Sequence, residues 1–434
     1  MMDGQPYPIP KPWTESSIGK VVVKTRQRDP RKNPGEVFQY VDVSSVSNES
    51  FKITEATPTL GSDAPSRARK AIETDDVLFA TVRPTLKRIA SVSPELDGAI
   101  ASTGYCVLRC DKAKADPRFL YYFLITDHFN ARMAGLERGA SYPAVRDSDV
   151  TASWLPLPPL PEQKKIAHIL STVQRAIEAQ ERIIQTTTEL KKALMHKLFT
   201  EGLRNEPQKQ TEIGLVPESW EVKELGDFFE IKHGYAFDGR FFEPTGNFIL
   251  MTPGHFHEEG GFRDQGERTK YFTGEIPTDY LLDQDDLVVA MTEQKSGLLG
   301  SAAFVPESDL YLHNQRLGLI VNLDAKHLSK RFLFNVFNLP HLRVEVAKTS
   351  TGSKVKHTSP TKLRAVRVGI PPTLDEQEEI AGALETTARK IALAISNRTQ
   401  LQDLFRTLLH ELMTAKTRVD TGLDLWYPNL GVSN

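Results

Sequence analysis

The chain has 434 residues, of which 25% are charged and 39% are hydrophobic, and its formal net charge is −2. This composition excludes a disordered polyelectrolyte and a collagen-like polymer, and the length favours two or three domains. No apolar run approaches the roughly 18 residues that a membrane-spanning helix needs, so no membrane association is expected.

The first residues lack a basic segment followed by an apolar one, so we expect no secretory signal. Cys106 and Cys110 are the two cysteines of the chain, too few for a disulfide framework. A reducing cytoplasm is therefore the expected compartment. Both thiols are predicted to be small apolar fillers of a strand.

Residues 1–158 are predicted to form a mixed α/β domain. Short β-branched and aromatic runs such as VFQYVDV and DVLFATV alternate with Gly, Pro, Asn and Asp, as strands alternate with turns. A helix is predicted over Pro117–Ala134. Residues 203–371 repeat this character, with strands such as DLVVAM and GLIVNL and a helix over Leu328–Ala347.

Each of these domains is followed by a predicted long helix, at residues 159–202 and 372–416, and residues 417–434 form a tail. Apolar residues recur along both helices in steps of four and three, which is the period of a coiled-coil seam. The predicted helix-pairing residues are Ile166, Leu170, Val173, Ile177, Ile184, Leu194, Leu198, Ile380, Leu384, Ile391, Leu401, Phe405, Leu408 and Leu412. Polar residues such as Gln180 and Arg398 interrupt the seam, which suggests that other domains or chains also pack there.

The chain repeats itself. Trp13 recurs as Trp220 at an offset of 207, and the pair Glu162-Gln163 recurs as Glu376-Gln377 at an offset of 214. Intermediate matches have intermediate offsets, as a duplication with a few short insertions would leave. If the two helices pair antiparallel, they hold two similar domains at opposite ends of a spacer of roughly 55 Å, related by an approximate twofold axis.

Three segments carry a family resemblance: PLPPLPEQKKIA, TEIGLVPESWEVKELGD and PPTLDEQEEIA. Their order resembles the DNA-specificity subunit of type I restriction-modification enzymes, over nearly the whole chain. The elements DDVLFA and DDLVVA match a further family element, although Asp75 and Asp285 stand where that family usually has glycine.

The resemblance implies an α/β fold class, with two similar mixed α/β target-recognition domains separated by two long antiparallel coiled-coil helices in a pseudo-twofold internal repeat. It implies a non-catalytic subunit in which each domain recognises half of a bipartite double-stranded DNA target. The helices would dock two modification (methyltransferase) subunits and, through them, restriction subunits. The resemblance places no cofactor on this chain, and the methyl donor, ATP and magnesium are expected on the partner subunits.

Loop residues with cationic or amide side chains are the candidates for DNA contact, because such groups bond to phosphates and base edges. The candidates in the first domain are Lys24, Arg26, Arg28, Lys32, Arg69, Lys70, Arg83, Lys87, Arg88, Arg138 and Tyr142. Those in the second domain are Thr292, Gln294, Lys295, Ser296, Asn314, Gln315, Arg316, Lys348, Lys354, Lys356 and His357. Any one of them is, by itself, more readily explained as a solvated surface residue.

Charge is unevenly distributed in the second domain. Residues 326–367 contain ten basic residues and one acidic residue, whereas residues 255–286 contain three basic and nine acidic residues. A basic stripe of this kind is what phosphate contact requires. The nearby aromatic residues Tyr235, Phe237, Phe241 and Phe242 are predicted to lie in the domain core rather than to stack on bases.

Other chemistries find less support in the sequence. Autonomous methylation would need a cofactor loop and an Asn/Asp-Pro-Pro-aromatic element, and neither pattern occurs. Glu293-Gln294-Lys295 loosely matches a metal-nuclease triplet, but such a triplet arises by chance in most chains of this length. His255 and His257 would make an incomplete metal site. Two alternatives therefore stay open, a coiled-coil scaffold without DNA recognition and, with less support, a self-sufficient nuclease.

Overall fold

The computed structural model describes residues 7–294 and 297–419, and the chain divides into two compact units. The first unit comprises Met1–Arg182 together with Ile395–Asn434, and the second comprises Ile183–Ala394. Each long helix therefore contributes one half to each unit. Within the described residues, no helix has an apolar stretch long enough to cross a membrane.

In the first unit, strands and short helices alternate before one long helix. The strands are β1 (Thr14–Ser17), β2 (Val22–Val23), β3 (Val37–Val41), β4 (Thr57–Leu60), β5 (Ala68–Ala71), β6 (Val77–Ala80), β7 (Ile89–Ser91), β8 (Ile100–Ser102), β9 (Tyr105–Cys110) and β10 (Trp154–Leu157). The helices are α1 (Pro117–Ile125), α2 (Asp127–Gly135), α3 (Asp147–Thr151) and α4 (Leu160–Glu201), whose last residues belong to the second unit.

The second unit has the same kind of alternation. Its strands are β11 (Gln208–Thr211), β12 (Gly214–Pro217), β13 (Glu221–Glu224), β14 (Glu230–His233), β15 (Phe242–Glu243), β16 (Phe248–Met251), β17 (Tyr271–Phe272), β18 (Leu287–Ala290), β19 (Thr292–Glu293), β20 (Ala302–Phe304), β21 (Tyr311–His313), β22 (Leu317–Val321), β23 (Lys356–His357) and β24 (Arg367–Ile370). Its helices are α5 (Lys330–Phe337), α6 (Pro340–Lys348), α7 (Pro360–Arg364) and α8 (Leu374–Met413), and the end of α8 lies in the first unit.

One sheet of each unit has the same topology as its counterpart, and the remaining four-stranded sheets share a parallel strand pair. One four-stranded sheet has the order β2-β9-β6-β7 in the first unit and β14-β22-β18-β20 in the second, so equivalent strands occupy equivalent places. The other sheets, β4-β3-β8-β5 and β15-β17-β16-β21, each contain one parallel pair, β3 with β8 and β16 with β21. Strand β1 pairs with β10 as β13 pairs with β24. The predicted fold class, with two similar α/β domains in an internal repeat, is confirmed.

Two of the predicted helices are wrong in their extent. Pro117–Ala134 is broken at Thr126, whose extended backbone ends α1 and begins α2. Leu328–Ala347 is broken at Leu339, which is extended because the proline that follows disfavours helical backbone in the preceding residue. Apolar periodicity continues across both breaks, so it did not reveal them.

Asp75 and Asp285 adopt left-handed backbone, with φ of 71° and 64°. Glycine has no steric penalty in this region and aspartate tolerates it, which explains why the turn forms with aspartate at both positions. The carboxylate of the next residue holds each turn, since Asp76 accepts from the Glu73 N–H at 2.8 Å and Asp286 from the Asp283 N–H at 3.0 Å.

Within the first unit, the start of α4 and the end of α8 share one core. Ile166 and Leu170 of α4 and Leu412 of α8 are buried in the same hydrophobic cluster. Glu162 at the start of α4 pairs with Arg418, just beyond the end of α8, at 2.7 Å. Further along α4, Gln174 accepts a hydrogen bond from the hydroxyl of Tyr122 in α1 at 2.8 Å. The ring of the same tyrosine contacts Phe405 of α8. Advancing along α4 thus means going back along α8, which is the antiparallel pairing that was predicted.

The second unit repeats this arrangement with the other halves of the helices. Met195 and Leu198 near the end of α4 are buried in one cluster with Ile380 and Leu384 near the start of α8. All the predicted helix-pairing residues are buried or half-buried: Ile166, Leu170, Val173, Ile177, Ile184, Leu194, Leu198, Ile380, Leu384, Ile391, Leu401, Phe405, Leu408 and Leu412.

Candidate nucleic-acid interface

In the first unit, five loops come together near the end of β6. The Thr81 N–H donates to the Gly104 carbonyl at 2.8 Å, and the Val145 N–H donates to the Thr81 carbonyl at 2.9 Å. A backbone bridge between Gln27 and Lys70 joins the two remaining loops. We call this surface the first loop face: residues 24–32, 67–70, 81–83, 102–104 and 137–146.

The second unit has the same frame at the end of β18. The Met291 N–H donates to the Arg316 carbonyl at 2.9 Å, and the Thr358 N–H donates to the Met291 carbonyl at 2.9 Å. Tyr235 forms a backbone bridge with Asn314. The second loop face accordingly comprises residues 231–241, 291–294, 314–316 and 350–358.

Each face includes a loop that turns on a glycine. Gly139 has a φ of 95° and Gly352 has a φ of 101°, both in the left-handed region. A Cβ on Gly352 would lie 2.0 Å from the Val355 carbonyl oxygen, so a side chain cannot be accommodated there. Arg138 pairs with Ala144 around the first loop as Thr351 pairs with His357 around the second. Both loops therefore have the shape of small hairpins whose tips are exposed.

On the first loop face, carboxylates neutralise several of the candidate cations. Arg28 forms an ion pair with Glu36. Arg69 lies 3.3 Å from Asp29, and Lys70 lies 2.6 Å from Asp147. The candidates Lys24, Arg26 and Lys32 of this part of the face are exposed.

The hairpin tip of the first face carries the most exposed aromatic residue of its surface. Tyr142 is 72% exposed, and the Arg83 guanidinium lies 5.2 Å from its ring centroid, as in a cation–π contact. Arg138 pairs with Asp149 at 2.5 Å. Its hydrogen bond lowers the pKa of the Asp149 carboxyl, so this carboxylate stays charged and offsets the arginine.

Lys87 and Arg88 do not lie on the first loop face with the other candidates. Lys87 pairs with Asp127 at the start of α2, at 2.9 Å. The Arg88 guanidinium donates to the carbonyls of Val43, Ser44 and Val46, at 3.3, 3.1 and 2.5 Å. Arg88 therefore holds a loop of its own unit in place.

On the second loop face, two of the candidates are buried. Thr292 is buried in β19, with its hydroxyl 3.3 Å from Nδ1 of His357. Asn314 is also buried, and its Oδ1 accepts from the Arg316 N–H at 3.0 Å. Both residues shape the loops that surround them. Exposed candidates on this face are Gln294, Gln315, Arg316, Lys354 and His357, Lys356 is half-buried, and Lys295 and Ser296 lie outside the described residues.

Glu293 is buried, and its carboxylate accepts hydrogen bonds from the backbone. Its Oε2 accepts from the N–H groups of Gly297, Leu298 and Leu299, at 3.0, 2.9 and 2.9 Å. A carboxylate oxygen with three backbone donors is satisfied within the fold. Among the described residues, no group of three or more His, Cys, Asp or Glu side chains is arranged to hold a metal ion.

Several cations of the basic stretch 326–367 have partners within the second unit. Arg343 is half-buried and donates to the Leu299 carbonyl at 2.7 Å, and Arg367 pairs with Glu212 at 2.8 Å. Lys348, one of the candidates, pairs with Glu345 at 2.6 Å. These three cations therefore form contacts within their own unit, and their availability to phosphate stays a prediction.

The prediction that the aromatic residues of 235–242 belong to the core was wrong for two of them. Phe237 is 7% exposed, but Tyr235 is 42% and Phe241 is 43% exposed. The Arg240 guanidinium lies 5.9 Å from the Phe241 ring centroid. Apolar patterning did not reveal that these two rings are exposed or that a cation lies beside one of them.

Of the two histidines in the suspected metal motif, His255 is buried and His257 is exposed. Nδ1 of His255 accepts from the Thr252 N–H at 3.1 Å, and burial lowers its pKa to about 4. The ring is neutral at physiological pH and belongs to the core of its unit. Cys106 and Cys110 are free and buried in β9, in agreement with the prediction that they fill space in a strand.

Comparison with known proteins gives a consistent result. The family model of the type I restriction modification DNA specificity domain matches residues 10–188 and again 217–402. The type I restriction enzyme MjaVIII specificity subunit of Methanocaldococcus jannaschii is 27% identical over 334 residues, which are 74% of this chain and 75% of that protein.

Two solved structures extend the likeness to the fold. A chain from a type I R-M system, solved to explain complex assembly and conformational transition, is 27% identical with a TM-score of 0.54, covering 95% of this chain and all of the other. The S subunit of a type I restriction-modification system from M. genitalium has a TM-score of 0.61 at 15% identity, covering 92% of this chain and 96% of the other. The second likeness supports the fold alone.

Proposed function

The chain belongs to the type I restriction modification DNA specificity family, and from that membership we propose that it selects the DNA sequence on which a restriction and modification complex acts. It is a DNA-recognition subunit, and the chemistry is carried out by other chains. The observation that carries this proposal is the duplicated loop face, built on one hydrogen-bond frame in both units.

Each loop face would contact one half of a bipartite double-stranded DNA target. Exposed Arg, Lys and Gln side chains on rigid loops suit phosphate and base-edge contacts, and phosphate contacts position a protein without specifying sequence. Two similar faces on one chain match a target with two short specific parts. The duplication supports this division, because each unit has a complete face of its own.

The long helices would dock two modification subunits. Leu190 of α4 is 57% exposed and Leu404 of α8 is 46% exposed, and the two positions are equivalent in the repeat at an offset of 214. Exposed large apolar side chains on the long helices, which also include Leu393 and Ile395 of α8, are suited to burial by a partner. Leu190 lies in the second unit and Leu404 in the first, so this repeated position supports two equivalent docking sites, through which restriction subunits would join the complex.

The methyl donor, ATP and magnesium would be bound by the partner subunits. The carboxylate of Glu293, which the nuclease alternative requires, is occupied by three backbone N–H groups. The function proposed for this chain needs hydrogen-bonding and cationic groups only.

The test is equilibrium binding to duplex DNA, with the full chain in complex with its modification subunits, at salt concentrations from about 50 to 200 mM. If phosphates are neutralised, affinity falls by a factor of the order of a thousand or more over this range. A scaffold without DNA recognition would retain no DNA at any of these salt concentrations. A nuclease would cut DNA when the chain alone is given magnesium, and either result would contradict the proposal.

A further inference from the structure

The turn between β21 and β22 on the second loop face has a rigid backbone. The Gln315 N–H donates to the Tyr235 carbonyl at 2.9 Å, and the Met291 N–H donates to the Arg316 carbonyl at 2.9 Å. Oδ1 of the buried Asn314 accepts from the Arg316 N–H at 3.0 Å. The turn is thus tied to two neighbouring loops and braced by its own first residue.

The side chain of Arg316 on this turn is available for a ligand. It is exposed, and within residues 7–294 and 297–419 no carboxylate lies within ion-pair distance of its guanidinium. Arg28, Arg69 and Arg138 on the first loop face, in contrast, each have an acidic partner. A charged group on a fixed backbone needs little further ordering to bind, which favours specific recognition.

The equivalent turn of the first unit has the same backbone frame without such a side chain. Ser102 Oγ accepts from the Gly104 N–H at 3.3 Å, as Asn314 does from Arg316. Gly104 is buried, and a Cβ there would lie 2.6 Å from Cγ2 of Val43. The first unit therefore cannot present a long side chain at this position.

We propose that Arg316 is a specificity-determining residue of the second unit and recognises a guanine in its half of the target. The guanidinium can donate two parallel hydrogen bonds to O6 and N7 of guanine in the major groove, which a lysine cannot reproduce. Asn314 is a positioning residue, since it acts by fixing the Arg316 backbone. The first unit reads its half without an equivalent contact. This inference rests on the proposed function, because it assigns a base contact within the same interface.

The experiment uses the DNA sequence that the complex methylates in cells as the reference duplex. It measures the affinity of the complex with modification subunits for a panel of duplexes, in which each base pair of that sequence is replaced in turn. Wild type and Arg316→Lys are compared at low salt, where phosphate contacts keep both bound. Wild type should lose about 5- to 150-fold in affinity when the guanine is replaced, and Arg316→Lys should bind both duplexes equally. Discrimination at all other positions should be unchanged, which also demonstrates that the variant is folded.

The matched control is Lys354→Ala, in the exposed hairpin of the same face. Loss of a phosphate contact there should weaken binding to every duplex by a similar factor and leave discrimination intact. If Arg316→Lys behaves like this control, or discriminates at every position as wild type does, Arg316 does not read a base and the inference is wrong. If wild type has no sequence preference at all, the proposed function itself fails.

Discussion

Arg83 and Arg88 lie five residues apart in the first unit, and their guanidinium groups have different surroundings. Arg83 is exposed beside the Tyr142 ring, whereas Arg88 donates to three backbone carbonyls. Sequence identifies both as equally good candidates for DNA contact. Only the contacts in the fold separate a cation that is available to phosphate from one that stabilises its own domain.

Replacing Arg88 should therefore lower stability, whereas replacing Arg83 should weaken DNA binding. Arg88→Ala should lower the free energy of unfolding by about 1 to 3 kcal/mol, because three carbonyls lose a charged donor. Arg83→Ala should change stability by less than about 0.5 kcal/mol and weaken DNA binding. Urea unfolding and binding of the complex to target DNA measure both quantities. Equal loss of stability in the two variants would contradict the roles assigned here.

Stability should also depend on pH in the range where histidine titrates. Burial lowers the pKa of His128, His255 and His313 to about 4, from an ordinary value of 6.5. Between these pH values the unfolded chain takes up protons that the folded chain does not bind. The free energy of unfolding should therefore fall as pH decreases from about 6.5 to 4, by at most about 3 kcal/mol per histidine.

Urea unfolding at pH 7.5 and at pH 5 measures this dependence. His357 is exposed and is not among the groups that shift the pKa of these three rings, so His357→Gln should have the same dependence as wild type and serves as the control. Stability that does not change between the two pH values would mean that the three rings are not held neutral in the folded protein.

At the scale of elements, the long helices were predictable and the short ones were not. A regular apolar step of four and three residues determines α4 and α8, because one face must be buried along the whole length. The breaks at Thr126 and Leu339 depend on single backbone conformations within continuous apolar runs. Pro340 was a visible signal for the second break, but Thr126 offered no comparable signal.

The outer surface of the helices yields a prediction about assembly. Leu190→Glu, Leu404→Glu and the double variant should fold normally and bind modification subunits progressively less well. The reason is that a charged side chain would have to be buried at each docking site. Size-exclusion chromatography with the modification subunit should resolve complexes with two, one or no partners.

Leu384 provides the matched control, because it is buried where α8 packs in the second unit. Leu384→Ala should lower the free energy of unfolding by about 2 to 5 kcal/mol, since a cavity forms in the core. If the variants at the exposed leucines still bound two partners with full affinity, docking would have to use another surface.

At the scale of the whole molecule, the duplication was readable from the sequence because offsets between matching motifs rise steadily along the chain. The sequence did not allow us to predict which loops come together to form the two loop faces. Thr81, Gly104 and Val145 come together through backbone hydrogen bonds that leave no signature in residue type. Candidate cations were found by type, but their carboxylate partners and the burial of Thr292 and Asn314 appear only in the fold.

The two loop faces also differ in how many of their candidate cations form ion pairs, which the amino-acid composition does not show. Carboxylates neutralise four of the candidate cations on the first loop face, whereas Arg316 on the second loop face is exposed and has no ion pair among the described residues. One backbone frame therefore supports two different sets of contacts. This is what a chain needs if its two halves recognise different short sequences.

The most direct test of the central claim is single-molecule sequencing of genomic DNA from cells with and without this gene. The account predicts one methyladenine motif that disappears with the gene, made of two short specific sequences separated by a fixed number of unspecified base pairs. Identical methylation in both cells, or loss of one continuous motif without a gap, would contradict recognition of a bipartite target by two loop faces.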